Sequence, residues 1–326
     1  MKKTGLLLFL ALAVVASAQQ GSSNSAASLS EAGAPEGTLP NSVSFPVERV
    51  ETPTNADLYC AGFVSHQLLP NANFVTGGLQ TPSTTQFVNG DMIFLTGTGY
   101  QVGQQYTIVR ELVDANRYEL YAGQHAQIKE MGQPYAELAR VHVIDTRSKT
   151  AIAQIEFGCS PVVPGDFAVP FVEKTPITFH LPFRFDRFAP PNGKTSGRIV
   201  MAKDFDSEIG SGAKVYMNVG ANQGVKVGDY FRAVRNYDAD LHDPVDSLSF
   251  KASISEDTQK KIAAFEPNMF TKTGGPVIRV RDLPRRAVGE IVIVGTTPTT
   301  STGMIVFAME DVHVGDGVEL DPQQNQ

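Results

Sequence analysis

The feature that most constrains the fold is an internal repeat. Residues 139–166 (ARVHVIDTRSKTAIAQIEFGCSPVVPGD) align without a gap to residues 289–316 (GEIVIVGTTPTTSTGMIVFAMEDVHVGD), with apolar runs and a Gly-Asp pair in the same places. Upstream, residues 91–110 align to residues 214–235, with a longer loop in the second copy. Two tandem copies of one fold unit explain both matches.

Each copy contains five short apolar runs separated by turn signals, which is typical of β-strands in a small barrel or sandwich. The predicted strands of the first copy are 92–95, 106–110, 138–144, 152–157 and 167–171; those of the second are 215–219, 230–235, 288–294, 304–309 and 317–320. We therefore expect an all-β protein built from two tandem small β-barrel or sandwich repeats. A short helix is predicted at 253–265, inside an insertion of the second repeat.

Glycines and Gly-Asp pairs lie between the predicted strands. Glycine permits a positive φ where the chain reverses, and an aspartate can cap the turn with its own carboxylate. A phosphate-binding loop would need a helix after the glycines, whereas strand-like sequence follows here. The predicted structural turn residues are Gly103, Gly165, Asp166, Gly220, Gly224, Gly228, Asp229, Gly315 and Asp316.

The N-terminus has the pattern of a secretory signal peptide. Lys2 and Lys3 precede a short apolar stretch at 5–15, and an A-x-A site ends at Ala18. That stretch is shorter than the ~20 residues that span a bilayer, and no later stretch approaches this length. Cleavage after Ala18 predicts a periplasmic or secreted protein that does not span a membrane.

Composition divides the chain further. Residues rich in Ser, Ala, Gly and Pro after the signal peptide predict a flexible tether. The expected organisation is 1–18 signal peptide, 19–45 tether, 46–87 N-terminal strap, 88–172 first barrel, 173–197 linker strap, 198–321 second barrel with insertion 236–286, and 322–326 tail.

The charge balance argues against two classes of partner. The chain has 34 acidic and 27 basic residues, with a formal net charge of −7. Nucleic acids and anionic membrane surfaces select basic faces. We expect no nucleic-acid partner.

The two cysteines are Cys60 and Cys159. In an exported protein the leading interpretation is a disulfide, since an oxidising compartment favours it. Two separate buried thiols are the alternative. A catalytic thiol is disfavoured because no histidine lies near either cysteine in the sequence.

No catalytic or metal-binding motif is recognisable. The six histidines form no HxxxH or HxH pair, and no G-x-S-x-G or H-E-x-x-H motif occurs. We expect a protein that is not an enzyme and that carries no cofactor. One alternative is a cell-wall or polysaccharide hydrolase, whose acids would be Asp240, Asp243 or Glu256 in a cleft between the barrels.

The acidic stretch 236–247 concentrates aspartates. Asp238, Asp240 and Asp243 are weak candidates for calcium ligands, because calcium takes several oxygens from one flexible loop. The stretch lacks the central glycine and terminal glutamate of an EF-hand. A solvated acidic loop is the main interpretation, and a calcium-stabilised surface or adhesive protein is the other.

FRFDRF, at 183–188, alternates aromatic and charged residues. Arginine beside aromatic rings can stack on a partner, which makes Phe183, Arg184, Phe185 and Arg187 a candidate partner surface. The alternative is a strand that buries its phenylalanines against a barrel.

A family resemblance follows from the repeat. GDMIFL, GYQVGQQYTIVR, ARVHVID, AIAQIEF and VVPGD resemble the C-terminal β-barrel region of bacterial envelope proteins that carry a LysM peptidoglycan-binding module upstream. VYMNVGANQGVKVGDYFRAVR, VGEIVIVG and HVGDGVEL are similar to the C-terminal domain of flagellar assembly protein T and, more loosely, to the barrels of rod-shape-determining protein C. The resemblance implies a non-enzymatic role in the cell envelope, with envelope proteins or peptidoglycan as partners.

Overall fold

The computed structural model describes residues 50–113, 118–182, 185–236 and 284–321. The strands are β1 (Val50–Glu51), β2 (Phe63–Ser65), β3 (Phe74–Gly78), β4 (Met92–Thr96), β5 (Gln105–Glu111), β6 (Gln133–Asp145), β7 (Ala151–Gly158), β8 (Phe167–Pro170), β9 (Phe179–His180), β10 (Ser196–Ala202), β11 (Glu208–Ile209), β12 (Lys214–Met217), β13 (Tyr230–Arg235), β14 (Arg286–Thr296), β15 (Ser301–Ala308), β16 (Val312–His313) and β17 (Gly317–Leu320). The helices are α1 (Asn55–Tyr59), α2 (Gln124–Met131) and a 3-10 helix (Ala221–Gln223).

The strands form two closed antiparallel barrels with the same order. In barrel 1 the ring runs β6-β5-β8-β3-β4-β7 and closes from β7 back to β6. In barrel 2 the ring runs β14-β13-β17-β10-β12-β15 and closes from β15 back to β14. The predicted fold class, all-β with two tandem small barrels, is confirmed, and strand β2 lies outside the first ring as an addition to β6.

Each barrel has a sixth strand that the sequence patterns did not indicate. In barrel 1 it is β3, which lies within the stretch 46–87 that was assigned to a strap outside the barrel. Its sequence, FVTGG, gives a weak strand signal because it contains two glycines. A Cβ at Gly78 would lie 2.6 Å from the ring of Phe87, so the last residue of β3 must be glycine for the chain to pass this ring. The sixth strand of barrel 2, β10, begins two residues before the predicted boundary at 198.

Both interiors are filled by apolar side chains. Alternation along β6 and β14 directs Val141 and Val143, and their repeat partners Ile291 and Ile293, inward. All four are fully buried. Burial of these faces against each other is the main stabilising contribution in barrels of this size.

The Gly-Asp turns share one geometry. In each, the aspartate Oδ2 accepts a hydrogen bond from the backbone N–H three residues earlier: Val163 to Asp166 at 2.7 Å, Lys226 to Asp229 at 2.8 Å and His313 to Asp316 at 2.8 Å. Positive φ angles occur at Gly103, Gly165, Gly224, Gly228 and Gly315. These carboxylates satisfy backbone donors that the reversal of the chain leaves unpaired.

Gly220 departs from the predicted pattern. Its φ is −146°, an extended conformation that any residue can adopt, so positive φ is the wrong explanation for this glycine. A Cβ here would lie 2.5 Å from the carbonyl oxygen of Thr297 and 2.5 Å from the nitrogen of Thr300. Glycine is required because the turn between β14 and β15 packs directly against it.

Candidate functional site

The segment Thr54–Ser65, called the arm below, joins the two barrels. It contains α1 and β2 and lies outside both barrel rings. Thr54 and Asp57 begin α1 with a reciprocal capping box, in which each side chain accepts the other residue's backbone N–H. A helix of five residues is too short to be stable alone, so the arm depends on its contacts with the barrels.

Three kinds of contact attach the arm to barrel 1. β2 pairs with the first residues of β6 in an antiparallel register. The disulfide Cys60–Cys159, with Cα atoms 5.5 Å apart, links the end of α1 to the loop after β7 and confirms the predicted bridge. The Glu137 carboxylate accepts the Gly62 N–H at 3.0 Å and the Lys174 ammonium at 2.7 Å.

Barrel 2 holds the arm mainly by hydrogen bonds from its side-chain hydroxyls to the backbone carbonyls of the arm. The Tyr216 hydroxyl donates to Ala61 at 3.0 Å. Thr302 donates to the Gly62 carbonyl at 3.0 Å and Thr300 donates to the Val64 carbonyl at 2.7 Å. Lys214 of barrel 2 also forms an ion pair with Asp57 of the arm. All described residues fall within one compact unit, and the arm contacts both barrels within it.

Burial changes the acid–base behaviour of groups around the arm. It raises the pKa of Glu137, although Lys174 and the Gly62 N–H favour the charged carboxylate. Burial also raises the pKa of the Tyr216 hydroxyl. Burial alone would raise the pKa of Asp57, but hydrogen bonds from Lys214 and Thr54 outweigh it, so this pKa is lowered.

The raised pKa of Glu137 predicts a stability contribution that depends on pH. Between the ordinary carboxyl pKa and the raised one, the folded state binds more protons, so stability falls as pH rises. The difference in unfolding free energy, wild type minus Glu137→Gln, should therefore be largest near the ordinary carboxyl pKa and decrease as the pH rises above it, by at most about 1.4 kcal/mol per pH unit. Urea unfolding at several pH values measures it, and a difference that is constant or rises with pH would contradict the assignment.

The insertion of the first repeat also packs on barrel 2. Gln124, at the start of α2, donates from Nε2 to the Val200 carbonyl at 3.0 Å. The ring of Tyr121 is fully buried in the core cluster of barrel 2, with the Arg198 guanidinium 4.8 Å from its centroid. Barrel 1 thus contributes side chains to the packing of barrel 2.

The same buried ion pair occurs once in each barrel. Arg110 donates from Nε and Nη2 to Asp166 at 2.7 and 2.8 Å, and this hydrogen bonding raises the pKa of Arg110. Arg235 donates in the same way to Asp316, at 2.8 Å twice. Both aspartates are buried, and the arginines stand at equivalent repeat positions. The repeat alignment contained both residues of each pair, but nothing in it indicated that they meet.

The candidate partner surface at 183–188 is only partly described. Phe183 and Arg184 lie outside the described residues. Phe185 packs its ring against Phe307, with centroids 5.1 Å apart, and Arg187 forms an ion pair with Glu310. Phe185 and Arg187 therefore attach the linker to barrel 2. The described backbone at 185–188 does not form the strand of the alternative interpretation.

Equivalent outer faces of the two barrels differ in chemistry. On barrel 2, a face formed by β13, β14 and β15 is apolar and packs under Leu58, Ala61 and Phe179. Its residues are Tyr230, Val292, Val294, Met304 and Val306. By the shared strand register, the corresponding positions of barrel 1 are Gln105, His142, Ile144, Gln154 and Glu156. Four of these are polar, and barrel 1 leaves this face partly exposed.

Beside that face, barrel 1 has an exposed pocket in the connection between β3 and β4. Two apolar side chains that line it, Leu79 and Met92, expose 63% and 37% of their surface. Its volume is about 220 Å³, and it is lined by Leu79, Gln80, Thr84, Phe87, Gly90, Asp91 and Met92. The repeat equivalents of Leu79 and Met92 are Lys203 and Lys214, as their matching backbone hydrogen bonds show. The pocket is therefore specific to barrel 1.

The calcium and hydrolase candidates cannot be placed. Asp238, Asp240, Asp243 and Glu256 all lie outside the described residues. Among the residues that the structure does describe, no three or more His, Cys, Asp or Glu side chains come together in a way that could hold a metal ion.

None of the helices in the described ranges is both long and apolar enough to cross a lipid bilayer. In comparisons with known proteins, no family model matches the chain and no curated protein matches it. The similarity to LysM-bearing envelope proteins and to flagellar assembly protein T stays a prediction.

Proposed function

We propose that this chain is an exported, non-catalytic scaffold or binding module of the cell envelope. One observation carries the proposal: the arm and the α2 insertion join two barrels, and apolar side chains fill the interior of each barrel. Such a body holds its loops in fixed relative positions, and rigid frameworks with functional loops are a common design for binding proteins.

Export is supported by two independent features. The first 18 residues have the layout of a cleavable signal peptide. The disulfide Cys60–Cys159 is of the kind that persists in oxidising compartments. The resemblance to LysM-bearing envelope proteins is the argument for the envelope as the destination, with envelope proteins or peptidoglycan as partners.

The barrel 1 pocket is the proposed contact point. At about 220 Å³ it is smaller than the ~300–1,000 Å³ typical of sites for drug-sized molecules, but it can receive one apolar side chain. Exposed apolar side chains grouped around a concave surface are typical of protein–protein contacts. We therefore expect a partner protein that inserts an aliphatic or aromatic side chain between Leu79 and Met92.

A capture experiment with matched variants tests this function. The mature protein, residues 19–326, is used to capture cross-linked proteins from envelope extract and is sedimented with purified peptidoglycan sacculi. The pocket variant is Leu79→Glu/Met92→Glu. The control variant, Val102→Glu/Val172→Glu, changes side chains of similar or greater exposure elsewhere, at 62% and 74%. Circular dichroism checks that both variants fold.

The expected result is a defined set of proteins retained by the wild type and the control, and reduced at least about tenfold by the pocket variant. Equal retention by both variants would overturn the pocket as the contact. Binding to sacculi alone would indicate wall binding in place of protein binding. If the protein retains neither and instead cleaves envelope polymers, the non-catalytic proposal is wrong.

A further inference from the structure

The position of the arm in the chain topology allows it to move independently. Both barrel rings close without it, since β2 is added to the outside of β6 and α1 belongs to neither sheet. The arm also precedes the first strand of the barrel 1 ring, β3, so its release breaks no connection between barrel strands. The arm can therefore leave its site while both rings stay closed.

The arm covers a surface that is not suited to water. Leu58 and Ala61 pack on the apolar face of barrel 2, where Val292 is fully buried and Met304 is 3% exposed. The equivalent positions on barrel 1 are the polar residues His142 and Gln154, which are partly exposed. The face is therefore apolar in the barrel where the arm packs on it and polar in the other barrel. Removal of the arm would expose an apolar patch on barrel 2.

Apart from the disulfide, short elements and non-covalent contacts hold the arm. β2 has three residues and α1 has five. The hydrogen bonds that Tyr216, Thr300, Thr302 and Glu137 make to the arm use its backbone groups, which water can also satisfy once the arm leaves. The covalent link Cys60–Cys159 is the strongest restraint that keeps the arm against barrel 1. Cys159 is partly exposed, whereas Cys60 is buried.

We propose that the Cys60–Cys159 disulfide is a redox latch whose reduction releases the arm and uncovers the apolar face of barrel 2, while both barrels remain folded. In the step, a dithiol transfers two electrons and two protons to the bridge. The S–S bond breaks, Cys60 and Cys159 become thiols, and the dithiol becomes a cyclic disulfide. The latch goes beyond the scaffold role, because it makes the exposure of the apolar barrel 2 face conditional on the redox state.

The test compares the full mature chain with and without dithiothreitol, and adds the Cys60→Ser/Cys159→Ser variant, which lacks the bridge without any reductant. Hydrogen exchange followed by mass spectrometry reports on arm peptides covering 55–66 and on core peptides covering 93–95 and 291–293. Binding of the dye ANS reports exposed apolar surface. Far-UV circular dichroism reports whether the barrels stay folded.

We expect arm exchange to rise at least about tenfold on reduction and in the double variant, with core exchange much less affected and ANS fluorescence increased. Arm exchange that is unchanged without the bridge would overturn the latch. Loss of the β-sheet spectrum, or equal acceleration in the arm and in both cores, would also overturn it, because the disulfide would then be a global stabiliser.

Discussion

Replacing Asp316 with asparagine is expected to lower the free energy of unfolding by about 3 kcal/mol. Asp316 is fully buried, and Arg235, only 13% exposed, donates two hydrogen bonds to it at 2.8 Å. Asparagine keeps the shape and one acceptor, but it leaves the guanidinium in a buried site without its counter-charge. Urea unfolding measures the change.

Two other aspartates provide a graded comparison. Asp166→Asn removes the equivalent charge from barrel 1, where Arg110 is 37% exposed, so the loss should have the same sign and be smaller. Asp145→Asn removes a partner of Arg147, which is 91% exposed, and should leave the midpoint unchanged within error. If all three variants lost the same stability, burial would not be the cause.

Replacing Gly62 with alanine is expected to destabilise the protein by about 3 kcal/mol. Gly62 has a φ of +71°, which an alanine adopts only with strain. A Cβ there would overlap the Tyr216 hydroxyl of barrel 2 and lie 2.7 Å from the Tyr135 carbonyl of barrel 1. The arm would have to move away from one barrel, so urea unfolding and hydrogen exchange of the arm should both report the change.

Gly193 is the matched control because its φ is +70° and nothing lies within 4 Å of the position of its Cβ. Gly193→Ala should therefore show only the backbone strain, about 1–2 kcal/mol. Equal losses at the two glycines would show that the close approach of both barrels to Gly62 contributes nothing.

Local patterns in the sequence predicted much of the fold. Alternation in runs such as Val141–Val143 depends only on which face of a strand is buried, and the repeat gave each run a second example. Gly-Asp pairs such as Gly315-Asp316 specify their turn within four residues. Signals of this kind need no knowledge of the rest of the chain.

The sixth strand and the arm could not be predicted in the same way. β3 contains Gly77 and Gly78, whose purpose is the close approach of Thr81 and Phe87, and a glycine pair in sequence indicates a turn more often than a strand. The arm depends on contacts between residues far apart in the chain, such as Gly62 with Thr302. A strand of three residues has too few positions for a periodic pattern.

The candidate site was harder still. Leu79 follows a glycine pair that indicates a turn, and Met92 begins a predicted strand, so no local pattern indicated that the two side chains line one pocket. The predicted partner residue Phe185 instead packs on Phe307. A sequence pattern can suggest that an aromatic residue is exposed, but the tertiary structure decides which other side chain packs against it.

We infer that the arm makes the two barrels one cooperative body. The chain has no tryptophan, so a single tryptophan placed at Phe157 or at its repeat equivalent Phe307 reports on one barrel alone. Urea unfolding of the two oxidised variants, followed by fluorescence, tests the claim directly. We expect coincident transitions with the same midpoint and slope. Two separate midpoints, each matched by a partial loss of the far-UV signal, would show that the barrels unfold independently and would contradict it.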